Sequence, residues 1–192
     1  MAQKPVLVIV GPSGVGKTTL YRMLLKEFSQ LFELSVSYTT RAIRPNELHG
    51  VNYYYISNDE FNEMKSAGEF LECTSYVRNQ YGTSMREIER IRNSGKVPLL
   101  EIEMDGYNKI KAKGLPMNGV FVTIPNIATL KSRLLRRGSH TPQELELRLQ
   151  RAMEEIEEAK TAGFGLTIVN EVLDEAYSSL RRKVLEWYNG EP

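Results

Sequence analysis

Five apolar residues in a row, Val6-Leu7-Val8-Ile9-Val10, stand near the start of the chain. An unbroken run rich in β-branched residues predicts a strand buried on both faces, as in a parallel sheet. Glycines at 11, 14 and 16 interrupt it. From 17 to 31 the apolar residues Leu20, Met23, Leu24 and Phe28 recur at helical spacing. Strand-like runs return at 97–102, 120–124 and 166–169, and helix-like stretches at 85–93, 127–136 and 173–188. Strands and helices alternating in this way predict βαβ units and an α/β fold, a parallel sheet covered by helices.

Residues 38–76 break the rhythm. A polar loop with Arg41, Arg44, Pro45 and Gly50 leads into short aromatic strands at 53–55 and 70–72. Between them Ser57 and Glu60 form a capping box that predicts a helix start. With no Pro/Gly/Ser-rich linker on either side, this reads as a small insert on the core rather than a separate domain. A second polar segment, 136–141, precedes a long charged helix. Thr141, Pro142 and Glu144 supply its N-cap, first-turn proline and capping-box acid. Arg133 and Arg136 read as a solvated basic helix face.

The 192 residues carry 25 Lys plus Arg and 24 Asp plus Glu, a net charge of +1. That balance argues against a general nucleic-acid coat, though it permits a local basic pocket. The single cysteine, Cys73, excludes an internal disulfide and a multi-thiolate zinc site. His49 and His140 lack ligand-like spacing, and no apolar run reaches membrane-spanning length. The first strand follows the start too closely for a signal peptide. The expectation is a cytoplasmic protein without a membrane or nucleic-acid partner.

Candidate chemistry begins at the first turn. Gly11-Pro12-Ser13-Gly14-Val15-Gly16-Lys17-Thr18 matches the phosphate-loop pattern G-x-x-x-x-G-K-[ST]. Glycines let successive N–H groups turn inward onto phosphate oxygens, and the following helix adds its own free N–H groups. Lys17 would neutralise the β- and γ-phosphates, and the Thr18 hydroxyl would coordinate Mg²⁺ together with waters. The motif implies ATP or another nucleoside triphosphate, and leaves open what receives the phosphate.

The insert bears on the acceptor. Arg41 and Arg44, three apart, can fork onto one phosphate, and tyrosine hydroxyls can add neutral donors. A carboxylate such as Glu72 cannot serve a phosphate, but it can accept from the ring N–H and amino group of guanine. A hydroxyl such as Thr83 can donate to the guanine carbonyl. By spacing alone, a solvated loop with surface ion pairs fits the same residues equally well.

At these positions the chain resembles the guanylate kinase family over nearly its whole length. The phosphate loop, the segment 35–41 followed by Arg44-Pro45, and the segment Gly50-Val51-Asn52-Tyr53-Tyr54 carry the resemblance. So do Phe70-Leu71-Glu72, Tyr81-Gly82-Thr83-Ser84, Arg137-Gly138 with Arg148, and Ile168-Val169-Asn170. It implies a P-loop three-layer core (about 1–37, 85–136 and 161–192), a small α+β GMP-binding insert (about 38–84) and a helical lid (about 137–160). The implied reaction is phosphoryl transfer from Mg-ATP to GMP, and to dGMP, by a monomer or small homo-oligomer.

Residue by residue, the resemblance implies that residues 11–18 with Thr19 bind ATP, with Asn170 near the adenine. Arg41, Arg44, Tyr53 and Tyr81 would hold the GMP phosphate, and Ser37 would join the GMP pocket. Glu72 and Thr83 would read guanine. Lys17, Arg44, Arg137 and Arg148 would stabilise the transferring group. Glu101 and Glu103 stand where the family usually has aspartates, each carboxylate reaching one methylene further toward Mg²⁺ and GMP. Ile43, Asn46 and Cys73 replace a usual proline, glycine and tryptophan, and Cys73 reads as an inert neighbour. Two other readings are a catalytically silent scaffold domain of the same fold, and a kinase for another phosphorylated acceptor.

Overall fold

The computed structural model describes residues 3–76, 78–136 and 141–188. In chain order the elements are β1 (Val6–Val10), α1 (Lys17–Glu27), β2 (Phe32–Leu34), β3 (Tyr38–Thr39), β4 (Tyr54–Tyr55), α2 (Asn58–Ser66), β5 (Phe70–Tyr76) and β6 (Asn79–Ser84). There follow α3 (Met85–Asn93), β7 (Val97–Ile102), α4 (Met104–Ala112), β8 (Met117–Thr123), α5 (Ile127–Arg136), α6 (Pro142–Ala159), β9 (Leu166–Val169) and α7 (Leu173–Tyr188).

Five strands form a parallel sheet in the order β2-β7-β1-β8-β9. β1 lies at its centre with every residue fully buried, which is why its sequence shows no polar alternation. Leu7 and Ile9 face a core shared with α1, α5, α6 and α7. Val6, Val8 and Val10 face a second core shared with α3 and α4. Burying each of these aliphatic side chains contributes roughly 1.5–3 kcal/mol, and both helix layers are tied to the sheet in this way.

A second sheet, in the order β4-β3-β6-β5, is drawn from residues 38–84. β3 and β4 pair parallel; the β3–β6 and β5–β6 pairs are antiparallel. α2 seals it through Phe61, whose ring stacks on Phe70 at 4.6 Å. The capping boxes expected at Ser57 with Glu60 and at Thr141 with Glu144 are both formed.

Several boundaries differ from the sequence expectation. The first helix ends at Glu27 rather than 31, and Phe32–Leu34 pairs with β7 as an edge strand. The run expected at 120–124 starts earlier and is Met117–Thr123; those expected at 53–55 and 70–72 are Tyr54–Tyr55 and Phe70–Tyr76. β3, β6 and α4 carry no pattern strong enough to predict them. α4 mixes Gly106, Asn108 and three charged residues into nine positions, which blurs its apolar face.

Candidate active site

The turn from β1 into α1 places backbone N–H groups at the carboxyl end of the sheet, where ligands of open α/β folds bind. Gly11 and Gly16 hold φ of 146° and 100°. A Cβ on Gly11 would stand 2.1 Å from the Val122 carbonyl oxygen, and one on Gly16 would stand 2.3 Å from Asn170 Nδ2. The loop is therefore packed against β8 and the end of β9 with no room for a side chain. Asn170 Nδ2 donates to the Val15 carbonyl at 2.7 Å. Arg133 donates to the same carbonyl at 3.2 Å and to that of Asn170 at 2.8 Å. Arg133 is thus not a solvated face residue: α5 presents it inward, and it braces the loop from behind.

Lys17 is buried, with its ammonium donating to the carbonyls of Gly11 (2.5 Å) and Pro12 (3.2 Å). Glu101, at the end of β7, lies 3.9 Å from that ammonium and accepts from the Thr18 hydroxyl at 3.4 Å. Parallel pairing of Ile9 with Glu101 sets this meeting, because it brings the ends of β1 and β7 side by side.

The opposite wall comes from the loop after β3. Arg41 lies over the rings of Tyr53 and Tyr55, at 5.5 and 5.7 Å from their centroids, and donates to Glu47 at 2.9 Å. Glu47 also accepts from the Arg44 backbone N–H (2.9 Å) and the Tyr55 hydroxyl (2.8 Å). Burial pulls the Glu47 carboxyl upward, but the bonds from Arg41, Arg44 and Tyr55 prevail and hold it at about 2. Glu47 escaped the sequence reading, although its place three residues after Arg44 in a polar loop was a visible hint. Asn46, standing for a usual glycine, takes φ of 68°, a left-handed conformation that asparagine tolerates. Tyr53 and Tyr81 meet edge to face at 5.9 Å. Burial first, then the Glu101 charge, keeps the Tyr53 phenol protonated well above its ordinary value.

Glu72, on β5, is 5% exposed. One carboxylate oxygen accepts from the Thr83 hydroxyl across the β5–β6 pair at 2.7 Å. The other is buried without a hydrogen-bond partner among the described residues. Burial raises the Glu72 carboxyl above its ordinary range, offset in part by the Thr83 hydroxyl. α4 closes the back of this site through Gly106, where a Cβ would meet the second Glu72 oxygen at 2.9 Å.

These walls enclose one cavity of about 510 Å³. Of the residues picked out in the sequence, Ser13, Gly14, Gly16, Lys17, Thr18, Ser37, Arg41, Arg44, Tyr53, Glu72, Tyr81, Glu101, Glu103 and Arg148 line it. Gly11, Pro12 and Val15 are buried loop residues behind it, and Asn170 is a buried brace. Thr83 is fully buried, with its proton committed to Glu72, so it acts on the cavity through that carboxylate. Thr19 is exposed and outside the cavity. Arg137 lies outside the described residues. Tyr21, Ser35 and Thr74 also line the wall and were not singled out in the sequence. An aromatic or small hydroxyl at core spacing gives no signal of its own.

α6 crosses the mouth, and Arg148 donates to the Ser13 hydroxyl at 3.3 Å. Beneath it Glu103 and Glu155 are both raised by burial, Glu155 to about 7 with the Glu103 charge as the second cause.

A phosphate loop and an arginine–tyrosine anion wall sharing one cleft define a P-loop phosphotransferase acting on nucleotides. The guanylate kinase family profile matches residues 3–186. Guanylate kinase 1 of Arabidopsis thaliana is 41% identical over 181 residues, 94% of this chain and 46% of that protein. Guanylate kinase of Chlamydia felis is 39% identical over 173 residues, 90% of this chain and 83% of that protein. The chain thus spans about half the length of the first relative and most of the second. The crystal structure of guanylate kinase from Anaplasma phagocytophilum superposes with a TM-score of 0.73 at 26% identity, covering 98% of this chain and 88% of that one. The chain belongs to the guanylate kinase family.

Proposed function

We propose that the protein transfers the γ-phosphoryl group of ATP to GMP, and to dGMP, giving ADP and GDP or dGDP, as a step of purine nucleotide metabolism. One observation carries this reading: Lys17 and Thr18 of the phosphate loop line the same cavity as Glu72 of the second sheet. In it the loop 11–18 cradles the ATP phosphates, and Asn170 supports the adenine end. Arg41, Arg44, Tyr53 and Tyr81 take the GMP phosphate beside Ser37. Glu72, oriented by Thr83, accepts from the guanine ring N–H and amino group.

A GMP phosphate oxygen attacks the γ-phosphorus in line. The new O–P bond forms as the bond to the β-phosphate oxygen breaks, and ADP leaves with that electron pair. The attacking oxygen is already ionised, so no general base is needed, and catalysis is positioning plus charge neutralisation. Lys17, Arg44, Arg148 and Arg137 supply the cations. Residues 137–160 act as the lid that excludes water, because water reaching the γ-phosphate would hydrolyse ATP.

Mg²⁺ fits the donor set. Thr18 and Glu101 bring one hydroxyl and one carboxylate together at 3.4 Å, and Mg²⁺ takes one or two protein oxygens beside phosphates and waters. Thr18 and Glu101 would hold it, with Glu103 nearby, and when bound it neutralises the β- and γ-phosphate oxygens. We further place the protein in the cytoplasm as a monomer or small homo-oligomer without nucleic-acid or membrane partners. Diffusible substrates and the even charge balance support that placement. A silent scaffold is disfavoured by the intact Lys17 and Thr18.

Glu72→Gln tests the acceptor. It keeps one carbonyl acceptor but replaces the other carboxylate oxygen with an amide NH₂ that opposes a guanine N–H. Losing one charge-assisted hydrogen bond of about 2 kcal/mol and weakening the other by about 1 kcal/mol lowers kcat/KM for GMP roughly a hundred-fold. ATP binding should be unchanged; equal loss of both would refute guanine reading by Glu72.

A further inference from the structure

Ser35 stands where the chain leaves β2. Its backbone N–H donates to the Leu99 carbonyl at 2.8 Å, so it continues the pairing of β2 with β7 by one residue. Side chains alternate between the two faces along such a stretch. Leu34 packs on the core shared with α1, α5, α6 and α7, so Ser35 turns to the opposite face of the sheet, that of α3 and α4. Glu72 lies on that same side: a Cβ on Gly106 of α4 would meet both the Glu72 carboxylate and the Ile102 side chain of β7. Ser35 and Glu72 both line the cavity.

Ser35 is 4% exposed, and its Oγ is buried without a hydrogen-bond partner among the described residues. A buried hydroxyl left unpaired is destabilising, and one that lines a binding cavity is explained by a ligand that pairs with it. Guanine has the matching group. Its pairing edge carries two donors, the ring N–H and the amino group, and one acceptor, the carbonyl. Glu72 answers the donors. The carbonyl needs a donor in turn, and the one expected from the sequence is spent: the Thr83 hydroxyl gives its single proton to Glu72 at 2.7 Å. Ser37, two residues on, also lines the cavity but is only partly buried, where water can satisfy it.

We propose that Ser35 is a specificity-determining residue of the acceptor pocket, donating its hydroxyl proton to the guanine carbonyl. The proposal rests on the guanine reading above and deepens it: Glu72 takes the two donors of the base, and Ser35 takes its acceptor.

Ser35→Ala deletes only the oxygen. Wild type and variant are titrated calorimetrically with three nucleoside monophosphates. GMP carries the whole edge. IMP keeps the carbonyl and lacks the amino group, and 2-aminopurine riboside monophosphate keeps the amino group and lacks the carbonyl. The variant should lose roughly ten-fold in affinity for GMP and for IMP, equivalent to about 1.4 kcal/mol, and essentially none for the 2-aminopurine nucleotide. Its melting temperature without nucleotide should equal or exceed that of wild type, because no unpaired hydroxyl remains at this position. Equal loss with all three nucleotides would make Ser35 a packing residue only and overturn the proposal, as would no loss with any. The carbonyl-dependent pattern appearing in Ser37→Ala and not in Ser35→Ala would overturn it too. Wild type binding GMP no more tightly than the 2-aminopurine nucleotide would overturn the guanine reading itself, a result distinct from a silent Ser35→Ala.

Discussion

Replacing Glu155 by Gln removes a buried carboxyl that the fold holds against its chemistry. The residue lies on α6, with one oxygen buried and without a hydrogen-bond partner among the described residues. Burial is the main cause that pushes its pKa from 4.5 up to about 7, the Glu103 carboxylate is the second, and Lys17 and Arg151 pull the other way. The folded protein therefore binds this proton more tightly than the unfolded chain does. Below pH 4.5 both states are protonated and nothing is lost; as pH rises toward about 7 the folded state gives up stability. At 1.36 kcal/mol per pH unit, the loss is ~3 kcal/mol once the group is ionised. Glutamine has nearly the same shape and no charge to desolvate. Urea unfolding of both proteins across this window should show equal stability at the acid end. Near pH 8 the variant should be more stable by ~3 kcal/mol, with the same dependence on denaturant. A gap that does not vary with pH, or a wild type that is the more stable at pH 8, would refute the assignment of the shift to Glu155.

Two further substitutions probe the two ends of the cleft. Gly106→Ala should push the Glu72 carboxylate off its seat, since the new Cβ would lie 2.9 Å from its oxygen. The GMP KM should rise several-fold in steady-state kinetics while ATP binding holds, and the helix-propensity gain of alanine is offset by the crowding. Arg133→Ala removes both bonds that brace the Val15 and Asn170 carbonyls. ATP affinity measured by calorimetry should fall by roughly ten-fold, from about 1.5 kcal/mol of charge-assisted hydrogen bonding, with GMP affinity unchanged. Unaltered ATP binding would show that the loop keeps its shape without Arg133.

Legibility followed physical cause. β1 was readable because both of its faces are buried, which leaves a mark that one residue cannot hide. α3, α5 and α7 were readable to the residue from their periodicity, and α2 and α6 announced their starts through capping boxes. β4 showed through its run of tyrosines, whereas β3, two residues long, is held by pairing with β4 and with β6 some forty residues on, which no local pattern encodes. The phosphate loop was legible because consecutive residues must cooperate to curl one stretch of backbone. Arg41, Arg44, Tyr53, Glu72 and Tyr81 reach their wall only when the second sheet closes, so spacing alone left them indistinguishable from surface charges. The family resemblance picked them out, and the cavity brings them together. Arg133 and Tyr21 were misread or passed over for one reason: a basic or aromatic side chain at helical spacing looks the same whether it meets solvent, core or a loop carbonyl.

On the proposed reading, one cleft takes ATP on the phosphate loop and a guanine nucleotide against Glu72. The most direct test is ADP release from Mg-ATP measured with GMP, dGMP, AMP, CMP and UMP in turn. Turnover should be rapid with GMP and dGMP and slight with the other three. Comparable turnover with AMP, CMP or UMP would contradict the guanine pocket. Binding of GMP without turnover of any acceptor would contradict the phosphotransferase itself.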